Sequence, residues 1–136
     1  MKLPPNSVIA AGPVIIEEQD GQKMALLNKH KQTSEKPNPK WQFCGGEMED
    51  FDAGLEETAK RECQEEMGIE IEIEKLLDVL VQKRDDGSLV ILVHYLAKRI
   101  GEIKPGDEIE DWNWFPLDQL PENIAPNVKP ILEKVK

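Results

Sequence analysis

Gly68 separates two periodicities that no single element can hold. On its N-terminal side, Leu55 to Met67 is a run of good helix formers with no glycine or proline. On its C-terminal side, IEIEIEKLLDVLVQK, from Ile69 to Lys83, alternates apolar and polar residues at period two, the pattern of a strand. A glycine at this junction supplies the left-handed conformation in which helices commonly end. The chain is therefore predicted to pass from a helix into a strand across one residue, and a purely helical or purely stranded fold is excluded.

The flanks add more strands. VIAAGPVII, from Val8 to Ile16, reads as a buried strand broken by Gly12-Pro13. Asp20-Gly21 marks a hairpin turn within Gln19 to Gln22, and Lys23 to His30 is a second strand. Gln32 to Lys40 is polar with two prolines and reads as a loop. Trp41 to Phe43 is a short apolar strand leading into Gly45-Gly46. Beyond a turn at Arg84 to Ser88, Leu89 to Ile100 is almost continuously apolar, as a central strand is. Pro105 to Asp111 reads as a loop, Trp112 to Phe115 as a short aromatic strand, and VKPILEKVK as a helix with Pro130 in its first turn. The order of strands, helix, strands and helix gives an α+β domain.

Composition narrows the function. The chain has 136 residues, enough to bury a core as one domain. Its net charge is -10, which disfavours a nucleic-acid duplex or an anionic membrane as partner. A small anionic substrate remains compatible if a divalent metal bridges the charges. Cys44 and Cys63 have no CxxC or Cys/His spacing, so no zinc site is expected. They read as packing thiols, with a redox link between them as the alternative. MKLPPNSVIAAG does not read as a signal peptide, and no segment reaches the length of a membrane span. A reducing cytoplasm is the expected setting.

Residues three and four apart share a helical face. Glu62, Glu65 and Glu66 stand at i, i+3 and i+4, so their carboxylates point the same way, beside an apolar stripe of Leu55, Ala59 and Cys63. Acidic groups near a helix C-terminus oppose its dipole, and like charges at this spacing repel by about a few tenths of a kcal/mol. A cation resolves both penalties, and clustered hard oxygens suit Mg²⁺ or Mn²⁺. The alternative is a solvated acidic face.

Arg61 before Glu62, Gly68-Ile69 after the cluster and Gly45-Gly46 upstream carry a resemblance to the Nudix hydrolase family. The family's box runs Gly, five residues, Glu, seven residues, then Arg-Glu-(aliphatic)-x-Glu-Glu-x-Gly-(aliphatic). Arg61 to Ile69 match its second half residue for residue, with Cys63 at the aliphatic position. Counting back from Arg61, the earlier glutamate falls on Ala53, and Gly46 lies one residue too far from the helix. This reads as a one-residue insertion, with Asp52 standing in for the glutamate. Cys44 occupies the place where relatives commonly have proline. Asp107 to Pro121 is similar to the family's late segment.

The resemblance implies a single domain over residues 1–136, with a mixed β-sheet sandwiched between helices. It implies Mg²⁺-dependent hydrolysis, with Mn²⁺ as substitute, of a nucleoside diphosphate linked to another moiety. A short chain slightly favours a nucleoside triphosphate. Glu62, Glu65, Glu66 and the Gly45 carbonyl are the implied metal ligands, with Glu65 alternatively the base. Arg61 is implied to orient the carboxylates, and Glu108, with Glu110 as runner-up, to act as base or extra ligand. Glu47 and Glu49 are weaker metal-site candidates. His30 and His94 read as structural, with His30 near enough to the proline loop to touch a substrate. Trp41, Trp112 and Trp114 read as core. A weakly catalytic nucleotide-binding or sensor module and a purely structural acidic domain are the competing readings. Both a monomer and a homodimer are compatible with the sequence.

Overall fold

The computed structural model describes residues 2–136; Met1, where the predicted single domain begins, lies outside them. Among the described residues the elements run β1 (Val8–Gln19), β2 (Gln22–His30), β3 (Gly46–Glu47), α1 (Leu55–Met67), β4 (Glu70–Lys83), β5 (Leu89–Ile100), β6 (Ile109–Pro116) and α2 (Val128–Glu133). The sheet order is β4-β5-β1-β2-β6, with β3 paired to β1 off this path. β1 and β5 are parallel, and the other ladders are antiparallel. The sheet is thus mixed and carries a helix on each face, as expected.

Strand alternation assigns the two faces. Ala11 and Ile15 of β1 and Leu26 of β2 face α1, where they pack with Ala59, Cys63 and Met67. Val14, Ala25 and Leu27 face the other way and pack with Val128, Ile131 and Leu132 of α2. Trp112 and Trp114 pack against the first cluster and Trp41 against the second, so all three tryptophans belong to the cores.

β1 is the hinge of the design. Its first half pairs with β5 from Val8 to Ile15, but it meets β2 only from Ile16 to Gln19. Between these two strands the sheet opens, and the segment Gln42 to Glu47 enters the gap. Gln42 exchanges two backbone hydrogen bonds with Asn28 of β2, each 2.9 Å. Gly46 and Glu47 pair with Ala11 and Ala10 of β1. Cys44-Gly45 crosses directly over Gly12, where a Cβ would run into the Cys44 carbonyl. Gly45 itself takes a φ of 154° and lies 3.2 Å, measured from where its Cβ would stand, from the Gly12 Cα.

This wedge corrects two expectations. Gly12-Pro13 does not break the first strand, which runs unbroken through both. Pro13 lies between the β3 and β2 registers, where that edge of β1 needs no donor. Trp41 to Phe43 forms isolated bridges rather than a strand. The last strand is also longer than expected, because Ile109 to Asp111 join the ladder opposite His30 and Lys29. The helix-to-strand switch falls where periodicity placed it. Gly68 has a φ of 67°, and its N–H caps the Gln64 carbonyl at 3.0 Å.

Replacing Gly12 with Ala puts a methyl into the Cys44 carbonyl, and overpacking of this kind costs about 1–3 kcal/mol. Gly54→Ala, where nothing lies near the added carbon, is the control. Denaturant unfolding should show a lowered midpoint for the first variant and little change for the second. Equal midpoints would mean that the crossing is loose enough to admit a side chain.

Candidate active site

Packing decides how α1 carries its acidic end. No basic residue stands in its last turn, and each unfavourable dipole contact costs about 0.3–1 kcal/mol. Against this, Ala59, Cys63 and Met67 are fully buried, and a buried Met side chain alone contributes about 1.5–3 kcal/mol. The terminal carbonyls are also satisfied from outside the helix. Lys104 N–H donates to the Met67 carbonyl at 2.8 Å and Gly106 N–H to the Glu66 carbonyl at 2.9 Å. The loop after β5 thereby closes on the helix end and carries Glu108 toward the same cleft.

That cleft has a volume of about 650 Å³ and is lined by Glu62, Glu65 and Glu66 of α1, by Gly45 and Gly46 of the wedge, and by Glu108. The structure thus gathers the glutamate cluster, the glycine pair and the late-loop acid at one place. Glu110 lies outside its wall. Glu47 lines the cleft and Glu49 does not.

The three helix carboxylates are not equivalent, and this corrects the picture of one solvated acidic face. Glu66 is only 3% exposed. One of its oxygens accepts the Gly45 N–H at 3.1 Å, and the other lies 3.3 Å from His30 Nε2. The Glu62 side chain is 15% exposed and the Glu65 side chain 53% exposed. Gly46 has no side chain because the Glu62 carboxylate occupies that space. Burial pushes the Glu62 carboxyl above its ordinary range, and the charges of Glu66 and Glu65 push it further, against the hydrogen bond from Arg61.

Arg61 ties the loop to the helix. Its Nε and Nη2 form a two-pronged pair with the Asp52 carboxylate, 3.0 Å on each side. Nη1 donates to Glu62 at 2.9 Å and Nη2 to the Glu47 carbonyl at 3.0 Å. Asp52 also accepts from Thr58 Oγ1 and the Glu49 N–H, both at 2.9 Å. The Arg61 hydrogen bonds, then these, hold its carboxyl well below the usual carboxylate range. Ala53, which spacing assigned to the glutamate position, is exposed. The extra residue is therefore absorbed between Asp52 and the helix start, leaving the Asp52 carboxylate on Arg61.

Two features escaped the sequence reading. Gly12, which reads in sequence as a strand breaker, is the floor over which Cys44-Gly45 crosses. Asn127, just before α2, places its side-chain nitrogen 2.9 Å from His94 Nε2 at the cleft wall. Burial pushes the His94 pKa down, so this is a neutral polar pair. The ring of Phe43 stands edge-on to His94 with centroids 6.0 Å apart. Nothing in a strand histidine and a distant asparagine announces that they meet.

The residues present fit a divalent cation. Two buried or half-buried carboxylates and a third exposed one face a common cleft, and burial, with the charges of Glu66 and Glu65 added, raises the Glu62 carboxyl. The buried His30 Nε2 has no hydrogen-bond partner. Among the described residues no group of three or more His, Cys, Asp or Glu side chains is already drawn together as a metal shell. Cys44 and Cys63 are both buried and free. Their mutual contact, together with burial, pushes the Cys44 thiol up. Among the described residues no helix is long and apolar enough to cross a membrane.

The model of the NUDIX domain matches residues 7–135. Among solved structures, the MutT NUDIX hydrolase from Burkholderia pseudomallei is 30% identical with a TM-score of 0.81, over 96% of this chain and 99% of that one. The Ap4A hydrolase of C. elegans is 21% identical with a TM-score of 0.77, over 94% of each chain. The NUDIX domain of Shewanella oneidensis NrtR, complexed with ADP ribose, is 21% identical with a TM-score of 0.75, over 97% of this chain and 88% of that one. No curated protein matches at a significant level.

The Asp52–Arg61 pair sets a pH dependence. A carboxyl held below its ordinary value of 3.8 contributes stability above that pH and loses it as pH falls toward its lower folded value. Asp52→Asn should therefore melt at a lower temperature than the parent at pH 7, with the gap closing below about pH 3.8. Melting curves across pH test this; a gap independent of pH would locate the effect in packing rather than in the ion pair.

Proposed function

The chain belongs to the NUDIX domain family, whose members hydrolyse phosphoanhydride bonds, and on that premise we propose that it is a Mg²⁺-dependent pyrophosphohydrolase of a small nucleotide, acting as a single cytoplasmic domain. The observation that carries this reading is the graded glutamate cluster on a cleft floored by Gly45-Gly46. Glu62, Glu65 and Glu66, with the Gly45 carbonyl, would hold the metal. Bound there, the ion supplies charge neutralisation for a diphosphate and lowers the pKa of water.

The chain's own groups have separable tasks. The Gly45 N–H fixes the rotamer of Glu66. Arg61 orients Glu62 and reaches Glu65 at 3.4 Å, while Asp52 and the Glu47 carbonyl prevent it from swinging into the cleft. Glu65 retains an exposed carboxylate beside the cleft and is the best placed to take a proton from attacking water. Glu108, also exposed on the cleft, is the second candidate for that task. Lys36 and Arg84 line the same cleft and offset the acidic surroundings for an anionic substrate.

The far wall supports a nucleotide as that substrate. Phe43, neutral His94 and Asn127 offer an aromatic edge and hydrogen-bonding groups without charge, which suits a base better than a further phosphate. A nucleoside triphosphate satisfies both ends of the cleft. The Ap4A hydrolase and the ADP ribose complex resemble this chain at an identity that speaks to the fold alone, and a dinucleoside tetraphosphate and ADP-ribose are therefore substrates to assay beside the triphosphates.

Phosphate and pyrophosphate release should be measured from ordinary and oxidised nucleoside triphosphates, ADP-ribose, NADH and a dinucleoside tetraphosphate, each with Mg²⁺, Mn²⁺ or EDTA. Turnover of one class is expected with metal and none with EDTA. Glu66→Gln should lower kcat by at least about a hundredfold, the scale on which losing a transition-state charge contact acts. Metal-independent turnover, or full activity in Glu66→Gln, would overturn the metal assignment. Binding without turnover in the parent would make the chain a nucleotide-binding module instead.

A further inference from the structure

His30 is a buried polar group whose surroundings do not account for it. It is 8% exposed, and its Nε2 makes no hydrogen bond. The side chain is turned toward α1 at the point where the β2–β6 ladder shifts register, between Lys29 and His30. His30 lines the glutamate cleft, and its buried Nε2 lies 3.3 Å from Glu66 Oε2. That approach is close enough for an ion pair yet off the hydrogen-bonding line. The opposite oxygen of Glu66 is already committed to the Gly45 N–H. His30 Nε2 is thus a buried nitrogen without a hydrogen-bond partner, beside the one Glu66 oxygen that the Gly45 N–H does not hold.

We propose that His30 is a nitrogen ligand to the divalent ion, sharing it with Glu66 Oε2, and that it biases this site toward first-row transition metals such as Mn²⁺ over Mg²⁺. The separation fits. With bonds of about 2.1 Å from a common ion to nitrogen and oxygen, donors 3.3 Å apart subtend roughly 100° at the metal, within the range of tetrahedral and octahedral shells. Mg²⁺ prefers oxygen donors, while imidazole suits the borderline transition metals. One nitrogen donor among carboxylates therefore shifts preference without excluding Mg²⁺. The buried position supports the same conclusion: a nitrogen lone pair shielded from water costs free energy unless something occupies it. This inference rests on the glutamates forming the metal site, and it adds a ligand that the glutamate box does not contain.

The test is pulsed electron paramagnetic resonance on the full chain loaded with Mn²⁺. The chain has two histidines, so nitrogen modulation from a directly bound imidazole has few possible sources. The parent should show that modulation, and it should change when histidine is isotopically labelled, an arm that needs no variant to fold. His30→Gln should abolish it and weaken Mn²⁺ binding by at least about tenfold, the lower bound even for losing an outer partner of a metal ligand, while Mg²⁺ binding changes less. His94→Gln should retain it, and melting curves should show that both variants are folded. If Mn²⁺ binds in a Glu66-dependent way with no histidine modulation, the proposal fails while the glutamate site stands; His30 is then a packing neighbour of Glu66. If Mn²⁺ does not bind the parent, both fail.

Discussion

Everything at the site depends on one backbone crossing. Cys44-Gly45 passes over Gly12 at a distance that admits no Cβ, because the first half of β1 and the last part of β2 separate and leave a slot. The segment filling that slot bonds to β2 through Gln42 and to β1 through Gly46 and Glu47. It closes a defect in the sheet, and in closing it places the Gly45 N–H opposite Glu66. The structural repair and the functional loop are the same residues. A wider residue at Gly12 would move the floor of the cleft as well as strain the sheet.

The second constraint is electrostatic. A helix ending in glutamates with no basic residue in its last turn would be poor in isolation. Here the apolar stripe of Ala59, Cys63 and Met67 outweighs the dipole penalty, and the loop from Lys104 to Gly106 caps the orphan carbonyls. Charge that would be tolerated by exposure is partly buried. The consequence is a raised Glu62 carboxyl and a Glu66 held by one N–H. Arg61 relieves part of this, but Asp52 holds it on the outer side, away from the cleft. The negative potential therefore remains directed into the space that a cation and a phosphate chain would fill.

The architecture was largely legible because its signals are local. Periodicity marked α1 and its cap at Gly68, the alternation of β4 and the apolar run of β5. Even so, β4 carries two register shifts and leaves Leu76, Val79 and Val81 exposed, which a regular alternation does not predict. The misread segments share one cause. Gly12-Pro13 and Trp41 to Phe43 have conformations set by non-local partners, so a breaker pair could lie in a continuous strand and an apolar triplet could fail to form one.

The sequence by itself determined that Glu62, Glu65 and Glu66 share a helical face with Arg61 at its edge, because helical geometry relates residues within one turn. It also determined the family, since the order of charges and glycines is written along a single stretch. Only the tertiary structure decided that Glu66 is buried and Glu65 exposed, that Asp52 rather than Ala53 holds Arg61, and that Glu108 reaches the cleft where Glu110 does not. His30 meeting Glu66 and Asn127 meeting His94 belong to the same class. Burial and pairing are properties of surfaces brought together by strand order and loop closure, and residues such as His30 and Glu66 or His94 and Asn127 meet across more than thirty positions of the chain.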